Sequence, residues 1–330
     1  MEEIDAQAWS EWLSHHPQAH ILQTSEWGHL KSEFGWEPHF LTDQQCGAMV
    51  LLRKLPLGFH IAYIPKGPIG QNYETIYPAI DRLCSSKRVI FLKVEPDAWE
   101  GELEDAASLE KFAPIESKPI QSHRTVVIPL DGDENTWLKR MKQKTRYNIR
   151  LAEKNGVRVV ESADVDAFSA IMSVTGERDG FGVHASAYYR RAYDLFSQGG
   201  QCAMLLAYYE DKPLAGLMVF KRGNRAWYLF GGSTNEERQR MPAYLIQWKA
   251  MRWAARNGCT EYDLWGAPDY DETYLEANFQ ERSDGLWGVY RFKRGFGGQV
   301  RRSYGARDRV YLHSIYRVYQ WLMQRRQSPM

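Results

Sequence analysis

One order of elements occurs twice in this chain, and that repeat limits the folds open to it. CGAMVLLRKLPLGFHIAYIPKGP runs from Cys46 to Pro68, and LAGLMVFKRGNRAWYLFGGSTN from Leu214 to Asn235. Each reads as small residues opening an apolar strand, a basic turn, then an aromatic strand ending in glycine. Each is preceded by a strand and polar turn (FLTDQQ, AYYEDKP) and followed by a helical stretch. A further strand then closes on Pro-Asp in both copies: RVIFLKVEPD, Arg88 to Asp97, and TEYDLWGAPD, Thr260 to Asp269. Order and endings agree as well as hydrophobicity, which predicts an α/β fold duplicated within one chain. The 330 residues suffice for two ordinary domains. SHRTVVIPLDGDENTW, Ser122 to Trp137, reads as a strand entering a helix, with Asp133, Glu134 and Asn135 favouring the helix start. The boundary is placed there: residues 1–130 form the first domain, completed by 300–330, and residues 131–299 the second. No charged hairpin of coiled-coil type interrupts the second half.

The formal net charge is +1, so attraction to a polyanion has to come from a local patch. The four cysteines, Cys46, Cys84, Cys202 and Cys259, form no CxxC pair and have no histidine cluster beside them. Neither a zinc site nor a disulfide framework is expected, and no metal. The acidic start MEEIDAQAWSEW lacks an apolar signal core, and no apolar run is long enough to span a bilayer. A soluble, cytoplasmic protein is the expectation. GxxxxGK[ST], GxSxG, HExxH and a GxGxxG after a strand are all missing, which removes support for ATP-driven, serine-hydrolase, zinc-protease and nicotinamide chemistry.

The best candidate for chemistry is YRFKRGFGG, Tyr290 to Gly298, where Lys293 follows Phe292 among glycines. Glycine permits close backbone approach, and lysine supplies a compact cation where negative charge develops. Lys31 ends QTSEWGHLK, on the open face of a helix that Ser25 is expected to cap, and Lys66 sits in a Pro/Gly turn. TGERDGFGVHASAYY, Thr175 to Tyr189, reads as a substrate loop entering a helix, with His184 and Tyr188 in it. Tyr228 and Phe230 end a strand at Gly231-Gly232, where the sheet is expected to splay. Between Lys139 and Arg158 eight cations face one acid, Glu153. Lys139, Lys142, Arg146 and Arg150 are spaced to form one stripe on a helix, either a solvated face or a phosphate-backbone contact. Without a DNA-reading signature, RNA bound by shape or a phosphate-bearing small ligand fits better. DRVYLHSIYRVYQWLMQRR is an amphipathic helix with Leu312, Ile315, Tyr316, Tyr319, Leu322 and Met323 at helical spacing. It either packs back on the core or lies near an anionic membrane surface.

These residues, in this order, resemble the FemABX family of peptidoglycan aminoacyltransferases. QTSEWGHLK at 23–31, KTRYNIRLAEKNGV at 144–157, TGERDGF at 175–181, YLFGGST at 228–234, WAARNGCTEYDLWG at 253–266 and FKRGFGG at 292–298 carry the resemblance. It implies two tandem GNAT-like domains, here without the coiled-coil arm of some members. It implies transfer of an amino acid from aminoacyl-tRNA to the stem-peptide amine of a cell-wall precursor, either lipid II or UDP-MurNAc-pentapeptide. No cofactor is implied beyond aminoacyl-tRNA as co-substrate, and a monomer is expected. Phe292 and Lys293 match the family's pair at the transfer centre, and Lys31 a lysine on the precursor's diphosphate. Glu95 falls near an acidic position of the same groove, and Tyr188 matches a tyrosine of the substrate loop. His184 stands where the best-known pattern has arginine, and Tyr228 or Phe230 takes the aromatic position on the later strand. The basic segment would assist tRNA docking. A GNAT-type N-acyltransferase using acyl-CoA or an acyl carrier is the alternative, although the glycine cradle for its pyrophosphate is not evident.

Overall fold

The computed structural model describes residues 2–43, 45–180 and 182–327, which divide into two compact units, 1–121 with 303–330 and 122–302. In the first unit the strands are β1 (Glu2–Ile4), β2 (Glu37–Thr42), β3 (Cys46–Lys54), β4 (His60–Pro65), β5 (Ile69–Gly70), β6 (Val89–Glu95) and β7 (Ile115–Ser117). The helices are α1 (Ala6–Ser14), α2 (Ser25–Ser32), α3 (Tyr77–Ser86) and α4 (Ala106–Phe112). The second unit holds β8 (Arg124–Pro129), α5 (Glu134–Arg140), α6 (Gln143–Lys154), β9 (Arg158–Glu161), α7 (Val165–Asp179), α8 (Ser186–Ser197), β10 (Cys202–Tyr209), β11 (Lys212–Arg222) and β12 (Arg225–Ser233). It continues with α9 (Pro242–Arg256), β13 (Glu261–Asp263), α10 (Glu272–Asn278), α11 (Trp287–Lys293) and β14 (Gln299–Arg302). β15 (Ala306–Val310) and α12 (His313–Gln327) return to the first unit.

The first sheet has the order β1-β2-β3-β4-β6-β15-β7, with β5 against β3, and the second β14-β8-β13-β12-β11-β10-β9. The repeat seen in the sequence is β2-β3-β4-α3-β6 in one sheet and β10-β11-β12-α9-β13 in the other. β3 and β11 are buried along most of their length because each lies inside its sheet. In both copies the last strand of the repeat pairs parallel with the aromatic strand. β4 and β6 pair from His60↔Val89 to Pro65↔Glu95. β12 and β13 pair only from Arg225↔Glu261 to Trp227↔Asp263, although β12 continues to Ser233. The second sheet therefore opens after Trp227. This is the GNAT arrangement, present twice, and the longest helices run only 15 residues among those described.

α9 explains how the second core closes. Pro242 opens it at the first position, where its missing N–H costs nothing. Leu245, Ile246, Trp248, Ala250, Met251 and Ala254 are then buried in the core with Leu205, Leu217 and Val219. Full burial of one such large side chain stabilises by roughly 1.5–3 kcal/mol.

The domain boundary differs from the sequence reading. β8 belongs to the second sheet, antiparallel to β13 (Glu261↔Pro129) and to β14 (Gln299↔Val127). A three-residue central strand such as β13 needs a partner on both sides, and β8 supplies one. The divisions therefore fall at Gln121/Ser122 and Arg302/Ser303 rather than at 130 and 299.

Candidate active site

In the second unit, chemistry gathers where β12 and β13 part. YRFKRGFGG is a helix end rather than a glycine turn: Lys293 is the last residue of α11, followed by a 3-10 turn, Arg294–Phe296. The glycines serve packing of the basic segment instead. Gly295 leaves room for the Thr145 hydroxyl, a side chain at Gly297 would run into the Arg140 backbone, and Lys142 N–H donates to the Gly295 carbonyl at 2.9 Å. Lys293 is thereby carried into the opening, where it is 5% exposed. Its ammonium donates to the carbonyls of Gly266, at 2.9 Å, and Trp265. Burial pulls its pKa down to about 7, with the nearby Asp263 carboxylate opposing.

The carbonyls that hold Lys293 follow directly on β13. Trp265 has φ +54° and Gly266 φ +62°. A tryptophan in the left-handed region costs roughly 1–3 kcal/mol and persists only where its surroundings impose it. Asp263 does so, accepting the Trp265 N–H at 2.7 Å and the Thr125 hydroxyl. The strained turn aims two consecutive carbonyls at one amine.

Tyr228 lies on the other side, its ring centroid 5.6 Å from Lys293 Nζ. Burial pushes its hydroxyl up to about 12, with Gln247 bonding to it. Phe230 is elsewhere. Register shifts between Val219↔Tyr228 and Met218↔Phe230, leaving Leu229 as an extra bulged residue. The bulge breaks the alternation, so Tyr228 shares the Val219 face while Phe230 takes the opposite one. Gly231, paired with Leu217, returns to the Tyr228 face, and any Cβ there would strike the Tyr228 ring. The sequence left the choice between the two aromatics open; Tyr228 is the one beside Lys293.

Phe292 points away from the opening. Its ring packs edge-on against Tyr244 at 5.0 Å and Phe296 at 5.1 Å. It anchors the end of α11. Arg291 holds the loop before that helix, donating to the carbonyls of Phe279 at 2.9 Å and Gln280 at 2.7 Å. Arg294 pairs with Glu276 and covers the Phe279 ring.

His184, Tyr188 and Phe230 come together on the opposite sheet face. His184 is exposed and stacks on Tyr188 at 3.8 Å, with Phe230 edge-on to both. Tyr188 and Tyr189 are buried core residues, and the Tyr189 hydroxyl accepts the His184 N–H at 3.1 Å. His184 is the exposed member of this cluster and Phe230 is half-buried, so the loop's tyrosine is a platform beneath the imidazole. Phe181 lies outside the described residues.

The basic stripe is broken. α5 ends at Arg140 and α6 begins at Gln143, with Met141 and Lys142 extended between them. Lys139 therefore stands off the row formed by Lys142, Arg146 and Arg150. Arg146 is taken up internally, its guanidinium donating to the carbonyls of Leu138, at 3.3 Å, and Met141 at the end of α5. Lys139, Lys142 and Arg150 remain exposed, as does Tyr147 between them.

In the first unit, Thr24 rather than Ser25 caps α2, accepting the Trp27 N–H at 3.2 Å. Lys31 is half-buried, not on an open face, with Nζ 5.1 Å from the Trp27 ring. Burial and then the Arg53 cation lower its pKa to about 8. Arg53 covers Trp36, Trp36 approaches Tyr63, and the Tyr63 hydroxyl donates to Glu95 at 3.2 Å. Lys31 and Glu95 thus bracket one continuous cluster. Glu95 is buried and accepts the N–H groups of Ile120 and Gln121; burial raises its pKa against these bonds and the Lys66 charge. Lys66, buried at φ +50°, was noted in the sequence for its turn alone, whereas Tyr63 and Gln121 carried no signal.

The turn after β12 is where the fold's usual coenzyme A pyrophosphate would meet backbone N–H groups at a helix start. Here α9 opens on Met241 at φ +58° and Pro242, which has no N–H. Arg240 fills the turn, donating to Glu237 at 2.7 Å and to the Asn155 carbonyl at 2.8 Å. These residues do not suit a pyrophosphate.

Comparison with known proteins agrees with both halves. Residues 4–113 match the FemAB family and residues 139–281 an acetyltransferase (GNAT) domain. A lipid II:glycine glycyltransferase of Staphylococcus saprophyticus is 23% identical, over 96% of this chain and 94% of that protein. Among solved structures, FemX superposes with a TM-score of 0.82 at 20% identity, covering 96% of this chain and 99% of FemX. A tandem GNAT protein of clavulanic acid biosynthesis gives 0.55 at 10% identity, covering 93% of this chain and 97% of its own.

Proposed function

The chain belongs to the FemABX family, and on that premise we propose that it is an aminoacyltransferase moving an amino acid from aminoacyl-tRNA to the stem-peptide amine of a peptidoglycan precursor. The observation that carries the reading is the buried cation Lys293 where the second sheet parts, fixed by two carbonyls and facing Tyr228. The donor is an ester and already activated, so the missing ATP-binding sequence is no obstacle. The neutral acceptor amine attacks the ester carbonyl carbon, forming the C–N bond and an oxyanion. Collapse breaks the bond to the ribose oxygen, and the proton given up by the amine ends on that oxygen. Lys293, as the ammonium, stabilises the oxyanion. Two of its three N–H positions are used by carbonyls, so it is oriented before substrate arrives.

Lys31, Arg53 and Lys66 give the first unit a cationic cluster suited to the precursor's diphosphate. Lys139, Lys142 and Arg150 offer exposed charge to the tRNA backbone. Acyl-CoA as donor is disfavoured by Met241 and Pro242 at the α9 start. The test offers purified protein glycyl-, alanyl- and seryl-tRNA with lipid-linked and UDP-linked acceptors, and weighs the products. An acceptor heavier by one residue is expected, lost on ribonuclease treatment. Transfer that survives destruction of all tRNA overturns the proposal.

A further inference from the structure

α12 has two faces of different fate. The inner one is fastened to the first sheet. Tyr316 and Tyr319 each pack on Phe91 at 5.2 Å, and the Tyr316 hydroxyl donates to buried Asp308 at 2.8 Å. The outer one presents Val318, Trp321 and Leu322, exposed by 57%, 49% and 49%. Ser314, Arg317, Val318 and Trp321 line a shallow open groove there. At 100° per residue, residues 314, 318, 321 and 325 fall on one side of the helix and 312, 316, 319 and 323 on the other. Three large apolar side chains on one helix face are an unusual exposure where scattered single ones are ordinary.

The charge pattern indicates what covers them. No Asp or Glu follows Asp308 in the chain, so α12 carries cations only. Exposed Arg317 and Arg325 flank the apolar residues, with the Arg325 guanidinium 3.8 Å from the Trp321 ring. A tryptophan with aliphatic neighbours and bordering arginines suits the boundary between headgroups and acyl chains of an anionic bilayer. Among the described residues no helix is long and apolar enough to cross a membrane. Contact would therefore be in the surface plane.

We propose that the outer face of α12 docks on an anionic lipid bilayer, through Val318, Trp321 and Leu322 with Arg317 and Arg325. The inner-face anchors keep the helix folded in solution, so docking requires no unfolding. Bilayer contact is independent of the acyl donor and is measured without it.

The full chain is sedimented with vesicles of phosphatidylcholine, with and without phosphatidylglycerol, at physiological salt. Binding is expected only with phosphatidylglycerol. Each basic residue near such a surface contributes about a fivefold gain, so R317Q/R325Q should weaken binding about thirtyfold. V318S/W321S/L322S should abolish it with the melting temperature unchanged. Should the triple variant unfold, brominated acyl chains provide a second reading: they should quench wild-type tryptophan emission, and W321F should lose most of that quenching. Equal binding to both vesicles, no binding, or an unaffected triple variant overturns the proposal. So does a dimer in sedimentation velocity that the triple substitution dissociates while vesicles are ignored, since a second copy would then be the occupant.

Discussion

Replacing Lys293 with methionine should shift stability in the variant's favour most at low pH, while slowing its chemistry. Lys293 is buried, and its pKa falls from 10.5 to about 7. Below pH 7 both folded and unfolded chains carry the proton, and the folded state bears the full cost of a buried charge. Between 7 and 10.5 the folded state has released a proton that the unfolded chain keeps, so stability rises with pH. The slope is about 1.4 kcal/mol per pH unit, or about 4 kcal/mol from pH 7 to pH 10. Methionine does not titrate and roughly fills the lysine stem. It also leaves the Trp265 and Gly266 carbonyls without their donor, at about 1–3 kcal/mol each. That loss shifts the variant's stability at every pH, so the pH dependence of the difference isolates the titration. Urea unfolding of both proteins at pH 6, 8 and 10 should show the variant gaining most on wild type at pH 6. A difference independent of pH would refute the burial argument.

Further expectations follow from the same geometry. Gly231→Ala places a methyl against the Tyr228 ring and should lower turnover more than tenfold, with little change in acceptor binding, as read from kcat and KM. Arg146→Gln frees the carbonyls at the end of α5 and should destabilise by about 1–3 kcal/mol without changing donor KM. Lys142→Gln and Arg150→Gln should raise donor KM and reduce its salt dependence, with melting temperatures unchanged. Lys31 loses its charge above about 8, so calorimetric affinity for the UDP-linked acceptor should fall about tenfold per pH unit beyond that, and Lys31→Met should flatten the profile.

The duplicated architecture was legible because each copy is built from local signals, buried strands, turns and an amphipathic helix, in one order. Lys293 stood out in the sequence from its FK context and the resemblance, and the structure buries it beside Tyr228. Its surroundings were not, because they depend on distant pairings. β8 pairs with β13 some 130 residues later, which no local pattern reveals. The extra residue Leu229 decides which aromatic faces Lys293, and a bulge has no signature in YLFGG. Trp265 at positive φ contradicts the usual glycine rule and is held there by Asp263 and Thr125. Spacing placed Lys139 to Arg150 on one helix, but the break at Met141 turned Arg146 inward to cap α5. On α12, periodicity grouped Leu322 with Tyr316 and Tyr319, whereas the helix rotates it outward beside Trp321.

The most direct test of the catalytic assignment is single-turnover transfer by Lys293→Met with both substrates saturating. Loss of one oxyanion-stabilising donor should slow the chemical step by about a hundred- to a thousandfold, with donor and acceptor affinities retained. Transfer at a near-normal rate would contradict the assignment of Lys293 to the reacting centre.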